Sequence, residues 1–211
     1  MLTVFLAKQW LFNCADLIKK NKDYLTALDA AIGDADHGLN MDRGFTKSIE
    51  ELNQKEPRTL EELFSLVGKT LLSTVGGVSG PLYGTLFIQF SKVSKNKESI
   101  QNEELYDFIL QGIKGVAQRG KAQLEDKTML DVLIPVADGI KSGINSTIPF
   151  DIFCNKIESI AEEAVRHTKD LVARKGRASY LGERSLGHQD PGATSSYYLI
   201  KTLMETLRKN D

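Results

Sequence analysis

"TLEELFSLVGKTLLSTVGGVSGPLYG", residues 59–84, decides what kind of fold this chain adopts. Thr59 followed by Glu62 is a capping-box pattern. Leu63, Leu66, Val67, Thr70 and Leu71 then recur at helical spacing and make one stripe. The "GGVSGP" that follows stops the helix. Pro81, with its φ already near the helical value, suits the first turn of a second helix predicted to reach about Val93. Within the stripe, "VGKT" looks like the end of a phosphate-binding loop. That motif needs a glycine where Leu63 stands and a strand before it, so these residues are assigned to the helix.

The same period continues in both directions. Residues 3–21 carry Val4, Phe5, Leu11, Phe12, Ala15 and Ile18 at close to helical spacing. A short helix follows over 23–31 with Asp23 as its cap, and another over 41–52 with Asn40 as its cap. Helices are also predicted over 102–120 with Gly120 just past the end, over 127–144 with a kink at Pro135, over 149–176, and over 191–209 with Pro191 near the start. Residues 94–99 read as a polar linker. Residues 177–190 have no period and read as a long loop, which in a compact domain marks function or disorder. Nothing combines period-two alternation with hairpin turns. The expectation is therefore an all-α fold of eight or nine helices, with no strands and no repeat, forming one domain over 1–211.

Bulk properties narrow the function. Hydrophobic residues make up 41% of the 211, enough for a substantial core. Lys plus Arg is 27 against 28 for Asp plus Glu, a formal net charge of -1, which argues against a dedicated nucleic-acid binder. No apolar run reaches membrane-spanning length. The start, "MLTVFLAKQWLFNC", lacks the basic region and cleavage site of a signal peptide. Cys14 and Cys154 have no metal spacing and make no disulfide framework, so a reducing, cytoplasmic setting is expected.

Three places carry chemistry. The first is "GDADHGLNMDRG", residues 33–44, with Asp29 just upstream. Gly33 lets the chain turn back, so that Asp34 and Asp36 can stand beside Asp29. Crowded carboxylates need cations, and magnesium takes such oxygens together with phosphate oxygens. Gly38 would allow close backbone approach to a ligand. An EF-hand does not fit, because Leu39 and Phe45 occupy its glycine and glutamate positions. Zinc does not fit a site with one nearby histidine. The second place is "GGVSGPLYG", 76–84, where a helix start offers free amides and Ser79 offers a hydroxyl, a natural phosphate cradle. The third is 174–193, where Arg174, Lys175, Arg177 and Arg184 lie among glycines. An arginine there can hold a phosphate bidentately. Together these suit a magnesium–pyrophosphate complex. ADP brings about three negative charges and the aspartates another three, so a pair of magnesium ions with helix dipoles and Arg177 comes near balance.

"GDADHGLNMDRGF", "GGVSGPLYGT", "RGKAQLEDKTMLDVLIPV" and "GRASYLGERSLGHQDPGAT" closely resemble, in the same order, the nucleotide-binding L subunit family of bacterial dihydroxyacetone kinases. The resemblance implies an antiparallel barrel of eight helices with nucleotide at one rim. It assigns magnesium to Asp29, Asp34 and Asp36. It assigns nucleotide contacts to His37, Gly38, Leu39 and Asn40, to Val78 and Ser79, to Gly120 and Met129 near the adenine, and to Asp190, Pro191 and Gly192. Arg177 is implied as the phosphate contact and the one catalytic side chain. It further implies a separate dihydroxyacetone-binding K subunit and a phosphocarrier M subunit of the phosphotransferase system, which rephosphorylates ADP held as a cofactor. An ATP-exchanging kinase subunit and a non-catalytic regulator remain open alternatives at this level.

Overall fold

The computed structural model describes residues 1–143 and 147–209 and is dominated by helix. Nine α-helices occur among the described residues. They are α1 (Val4–Lys20), α2 (Lys22–Ile32), α3 (His37–Lys55), α4 (Leu60–Thr74), α5 (Ser79–Val93), α6 (Leu105–Gly120), α7 (Leu130–Gly143), α8 (Phe150–His167) and α9 (Pro191–Arg208). The packing is circular. α1 lies against α3, α3 against α4, and each helix from α4 onward against its successor, until α9 returns to α1. The short α2 stands beside this circuit, against α3 and α9. No helix of the described residues is long and apolar enough to cross a membrane.

Aromatic side chains from several helices fill the centre. Trp10 is fully buried and donates its indole N–H to the Leu199 carbonyl at 2.9 Å, which ties α1 to α9. Phe64, Phe87 and Phe90 surround it with ring centroids 6.1–6.4 Å away, and Phe90 stacks on Phe108 at 4.2 Å. Such pairs add about 0.5–1.5 kcal/mol each beyond their buried area. Cys14 belongs to this core, where burial pushes its thiol up to about 12 and leaves it unreactive.

Several local expectations are corrected. A strand pair exists: Leu2–Thr3 (β1) runs antiparallel to Ser99–Ile100 (β2). Two residues are too few for alternation to register. Asp23 lies inside α2, whose cap is Asn21. That residue also closes α1 and spends its side-chain amide on the Leu17 carbonyl at 2.8 Å. Asn40 lies inside α3, because the helix starts earlier, at His37. Thr59 does cap α4, accepting from Glu62 N–H, but Glu62 reaches back to Arg58 N–H rather than Thr59, so the box is half made. Gly120 is the last residue of α6, and it is Lys121 that turns left-handed. Pro135 lies inside α7. The Ile144 end expected for that helix lies outside the described residues. The helix expected over 149–176 stops at His167, followed by a 3-10 turn over Thr168–Asp170. The expected loop at 177–190 contains 3-10 structure over Arg177–Ser185, broken at Gly182. Three-residue periodicity escapes a search for 3.6.

Candidate functional site

The site forms where helix starts and loops meet at one end of the circuit. Asp29 lies in the last turn of α2, Gly33 turns the chain, and Asp34 and Asp36 return toward it. One carboxylate oxygen from each of the three lies within 4.8 Å of the others. The turn is tightly specified. A Cβ on Gly33 would lie 2.1 Å from an Asp29 carboxylate oxygen, so only glycine leaves that oxygen in place. The other Asp29 oxygen accepts the N–H of Asp36 at 2.9 Å and of His37 at 3.1 Å. Asp29 thus caps α3 from another helix, which explains why that helix starts before Asn40. Gly38 also has a packing purpose that the sequence did not show. A Cβ there would meet the Lys22 carbonyl at 2.0 Å, so this glycine lets α2 and α3 cross closely.

A cavity of about 200 Å³ opens beside the carboxylates. Asp29, Asp34, Asp36 and His37 form one wall, and the Gly76–Ser79 turn at the start of α5 forms another. Leu82, Val116, Gly120, Ala122 and Met129 give it an apolar end. Arg177, Asp190, Pro191 and Gly192 close the remaining side. Gly38, Leu39 and Asn40 are not among the lining residues. Leu39 is exposed, and the Asn40 side-chain oxygen accepts from Arg43 at 2.6 Å. Gly38 and Leu39 occupy the second and third positions of α3, where backbone N–H groups have no intrahelical acceptor. Val78 is largely exposed at the cavity edge.

Charge is arranged around this cavity. Arg177 reaches Asp34 at 2.9 Å across the mouth. It is brought there by a small apolar cluster in which Ile32 of α2 packs with Ala173, Ala178 and Leu181. His37 is buried with both ring nitrogens engaged, Nδ1 with Ser79 Oγ at 3.0 Å and Nε2 with Ser195 Oγ at 2.8 Å. Burial lowers its pKa to about 4, against the pull of Asp29, so the ring is neutral at pH 7. Asp190 caps α9 by accepting the Ala193 N–H at 2.6 Å. Burial pushes its carboxyl up to about 7.

Four supporting residues were not identified from the sequence. Lys127 is almost fully buried, adopts a left-handed backbone, and donates to the carbonyls of Leu171 at 3.0 Å and Ser185 at 2.5 Å. It fastens the 121–129 loop to the arginine loop. Burial draws its ammonium pKa down, while Asp190 and Asp170 oppose that. Asp131 accepts the N–H of Thr128 at 2.6 Å and of Glu125 at 2.5 Å, shaping the loop that carries Met129. A signal existed for Asp131, since "TMLD" before an apolar run is a capping pattern. Tyr83 and Ser195, behind His37, carry no comparable signal.

A largely helical unit that gathers three carboxylates beside two helix starts has the donors that a metal ion and a phosphate would take. A model of the DAK2 domain matches residues 31–205, and the chain belongs to that family. It is 46% identical over 194 residues to the "PEP-dependent dihydroxyacetone kinase, ADP-binding subunit DhaL" of Escherichia coli, covering 92% of each chain. It is 39% identical to the "PTS-dependent dihydroxyacetone kinase, ADP-binding subunit DhaL" of Lactococcus lactis, covering 98% of this chain and all of the relative. Among solved structures, the dihydroxyacetone kinase of C. freundii in its native form superposes with a TM-score of 0.72 at 20% identity. All of this chain is covered but only 36% of the kinase, so that likeness speaks for the fold. A second structure of that kinase, in complex with AMP-PNP and Mg2+, superposes with a TM-score of 0.71 at 20% identity, covering 97% of this chain and 33% of the kinase.

Proposed function

We propose that this chain is the ADP-binding subunit of a phosphoenolpyruvate-dependent dihydroxyacetone kinase. The observation that carries the reading is the convergence of Asp29, Asp34 and Asp36 within 4.8 Å beside the starts of α3 and α5, in a chain that aligns over 92% and 98% of its length with two proteins named ADP-binding subunit DhaL. On this reading the circular packing is the antiparallel eight-helix barrel, with α2 as an addition beside it.

The donor set fits magnesium: three hard carboxylate oxygens and no soft ligand. The three aspartates would hold it, and the charge count favours two ions. Bound ADP with its magnesium would supply the group that accepts a phosphoryl from one partner and yields it to another. The residues of this chain would then bind and orient. The α3 amides of Gly38 and Leu39, the α5 start with Ser79, and Arg177 would take phosphate oxygens. Gly120 and Met129 would face the base, and Asp190, Pro191 and Gly192 would close the cavity. His37, neutral and held at both nitrogens, is a poor candidate for a phosphate-carrying nucleophile. Arg177 would stabilise negative charge on the moving group, where a water-poor site strengthens the effect.

The partners on this reading are a dihydroxyacetone-binding K subunit and a phosphocarrier M subunit, in the cytoplasm. The test is reconstitution with each component purified. Dihydroxyacetone phosphate should form from phosphoenolpyruvate only when the chain, both partners and the general phosphotransferase proteins are all present. Formation of product from the chain, ATP and dihydroxyacetone alone would refute the reading. Turnover with ATP in place of the phosphocarrier would favour an exchanging kinase subunit.

A further inference from the structure

Lys127 borders the cavity but is only 1% exposed. Its ammonium donates to two main-chain carbonyls, Leu171 at 3.0 Å and Ser185 at 2.5 Å. These carbonyls lie on the two limbs of the segment that carries Arg177. The limbs are joined again through Ser185, whose Oγ accepts the Ala173 N–H at 2.9 Å and donates to the Gly182 carbonyl at 2.6 Å. The Gly187 N–H donates to the Lys169 carbonyl at 2.8 Å and closes the segment. One ammonium therefore spans the base of a loop, with Arg177 between its limbs.

The loop that supplies Lys127 is fixed without it. Asp131 accepts the N–H groups of Glu125 and Thr128, and Asp126 accepts that of Gln123 at 2.9 Å. Lys121, Glu125 and Lys127 have left-handed backbone, which persists only where the surroundings over-determine it. The arginine segment has less support. Ile32 packs there with Ala173, Ala178 and Leu181, and the Arg174 N–H donates to the Asp126 carbonyl at 3.0 Å. The Arg177 side chain is 68% exposed, and Asp34, to which it reaches, is a metal ligand on the reading given under Proposed function. A cation is costly to bury, and an apolar side chain at 127 would be cheaper. Only a donor of several protons can hold both limbs at once, and its bonds to them are charge-assisted.

We propose that Lys127 is a positioning residue for phosphoryl transfer: it holds both limbs of the 169–187 segment against the 121–129 loop, so that Arg177 faces the phosphate end of the cavity. This rests on the nucleotide reading given under Proposed function. It assigns purpose to a buried cation that takes no part in the transfer itself.

The test pairs Lys127→Met, which keeps most of the stem and removes the ammonium, with Arg177→Ala in a double-mutant cycle. Calorimetry with magnesium present gives ADP affinity, and the reconstituted system gives the transfer rate. Lys127→Met should slow transfer about tenfold to a hundredfold, as a small misplacement of a positioned group does. ADP affinity should fall less than about threefold, because Asp131 still holds the loop that carries Met129. In the Arg177→Ala background the same change should slow transfer less than about twofold further, since nothing is left to position. A slowing that multiplies with that of Arg177→Ala, or equal losses of affinity and rate, marks a merely structural role and overturns the proposal. Full-rate transfer by Lys127→Met overturns it too. Wild-type protein that binds no ADP overturns the nucleotide reading, and the proposal with it. Amide exchange on nucleotide-free wild type decides if the variant does not fold. The amides of Ala173 and Arg174 should be protected to within about tenfold of those of Glu125 and Thr128. Exchange of the first pair at open-loop rates while the second stays protected overturns the proposal.

Discussion

Replacing Gly38 with alanine separates two purposes that a glycine here could serve. The added methyl would sit 2.0 Å from the Lys22 carbonyl, 2.4 Å from Thr26 Oγ1 and 2.8 Å from the Thr26 amide. Two of those atoms are backbone of one turn of α2 and cannot yield by a rotamer change. α2 must therefore slide off α3, and with it Asp29, which caps α3 and completes the carboxylate cluster. Overpacking of this kind costs about 1–3 kcal/mol, and a backbone obstacle places it near the upper end. Better helix propensity returns roughly 1 kcal/mol. The net loss of about 1–2 kcal/mol should lower Tm by about 2–8 °C for a chain of this size. Thermal melts of nucleotide-free protein measure it, and ADP affinity should fall in parallel. A variant with an unchanged nucleotide-free melt but weakened ADP binding would refute the packing argument and leave close approach of a ligand as the reason for a glycine here.

Arg177→Ala removes the guanidinium facing Asp34 without touching the core. It should slow phosphoryl transfer in the reconstituted system more than it weakens ADP binding, and equal losses in the two would count against a role in transfer. Asp190 has its folded pKa raised to about 7, so its contribution to stability is full below about pH 4, declines as pH rises toward 7, and is flat above. Nucleotide-free wild type should therefore lose up to about 1.4 kcal/mol per pH unit across that window relative to Asp190→Asn, and parallel melting profiles would contradict the assignment. Stripping magnesium and ADP with a chelator should lower Tm, since a ligand at about 100 times its Kd adds roughly 2.7 kcal/mol. An unchanged melt with ADP loss confirmed would contradict that.

The helices were legible because their apolar stripes are long: the face of α4 runs from Leu63 to Leu71, and all but Leu66 of its five predicted positions are buried. The aspartate cluster was legible because its parts lie within eight residues and a glycine marks the turn. Helix starts were harder. Asp29 caps α3 from a neighbouring helix, and no local pattern encodes a cap supplied across space. Gly38 reads alike whether it faces a ligand or a backbone, and the nearby Lys22 carbonyl is visible only in the structure. Lys127 looked like any surface lysine, because its acceptors at Leu171 and Ser185 lie 44 and 58 residues away. Tyr83 and Ser195 were hidden for the same reason, being 112 residues apart in a single hydrogen bond.

The nucleotide content of the freshly purified protein bears most directly on the claim that the three aspartates hold an ADP–magnesium complex. The chain should be purified with magnesium but without added nucleotide, then denatured and its supernatant resolved by chromatography. About one ADP per chain should appear for wild type, and none for Asp34→Ala or Asp36→Ala, each of which removes a carboxylate oxygen from the metal. Wild-type protein free of ADP and unable to take it up, or a folded Asp36→Ala variant that still carries a full equivalent, would contradict the assignment.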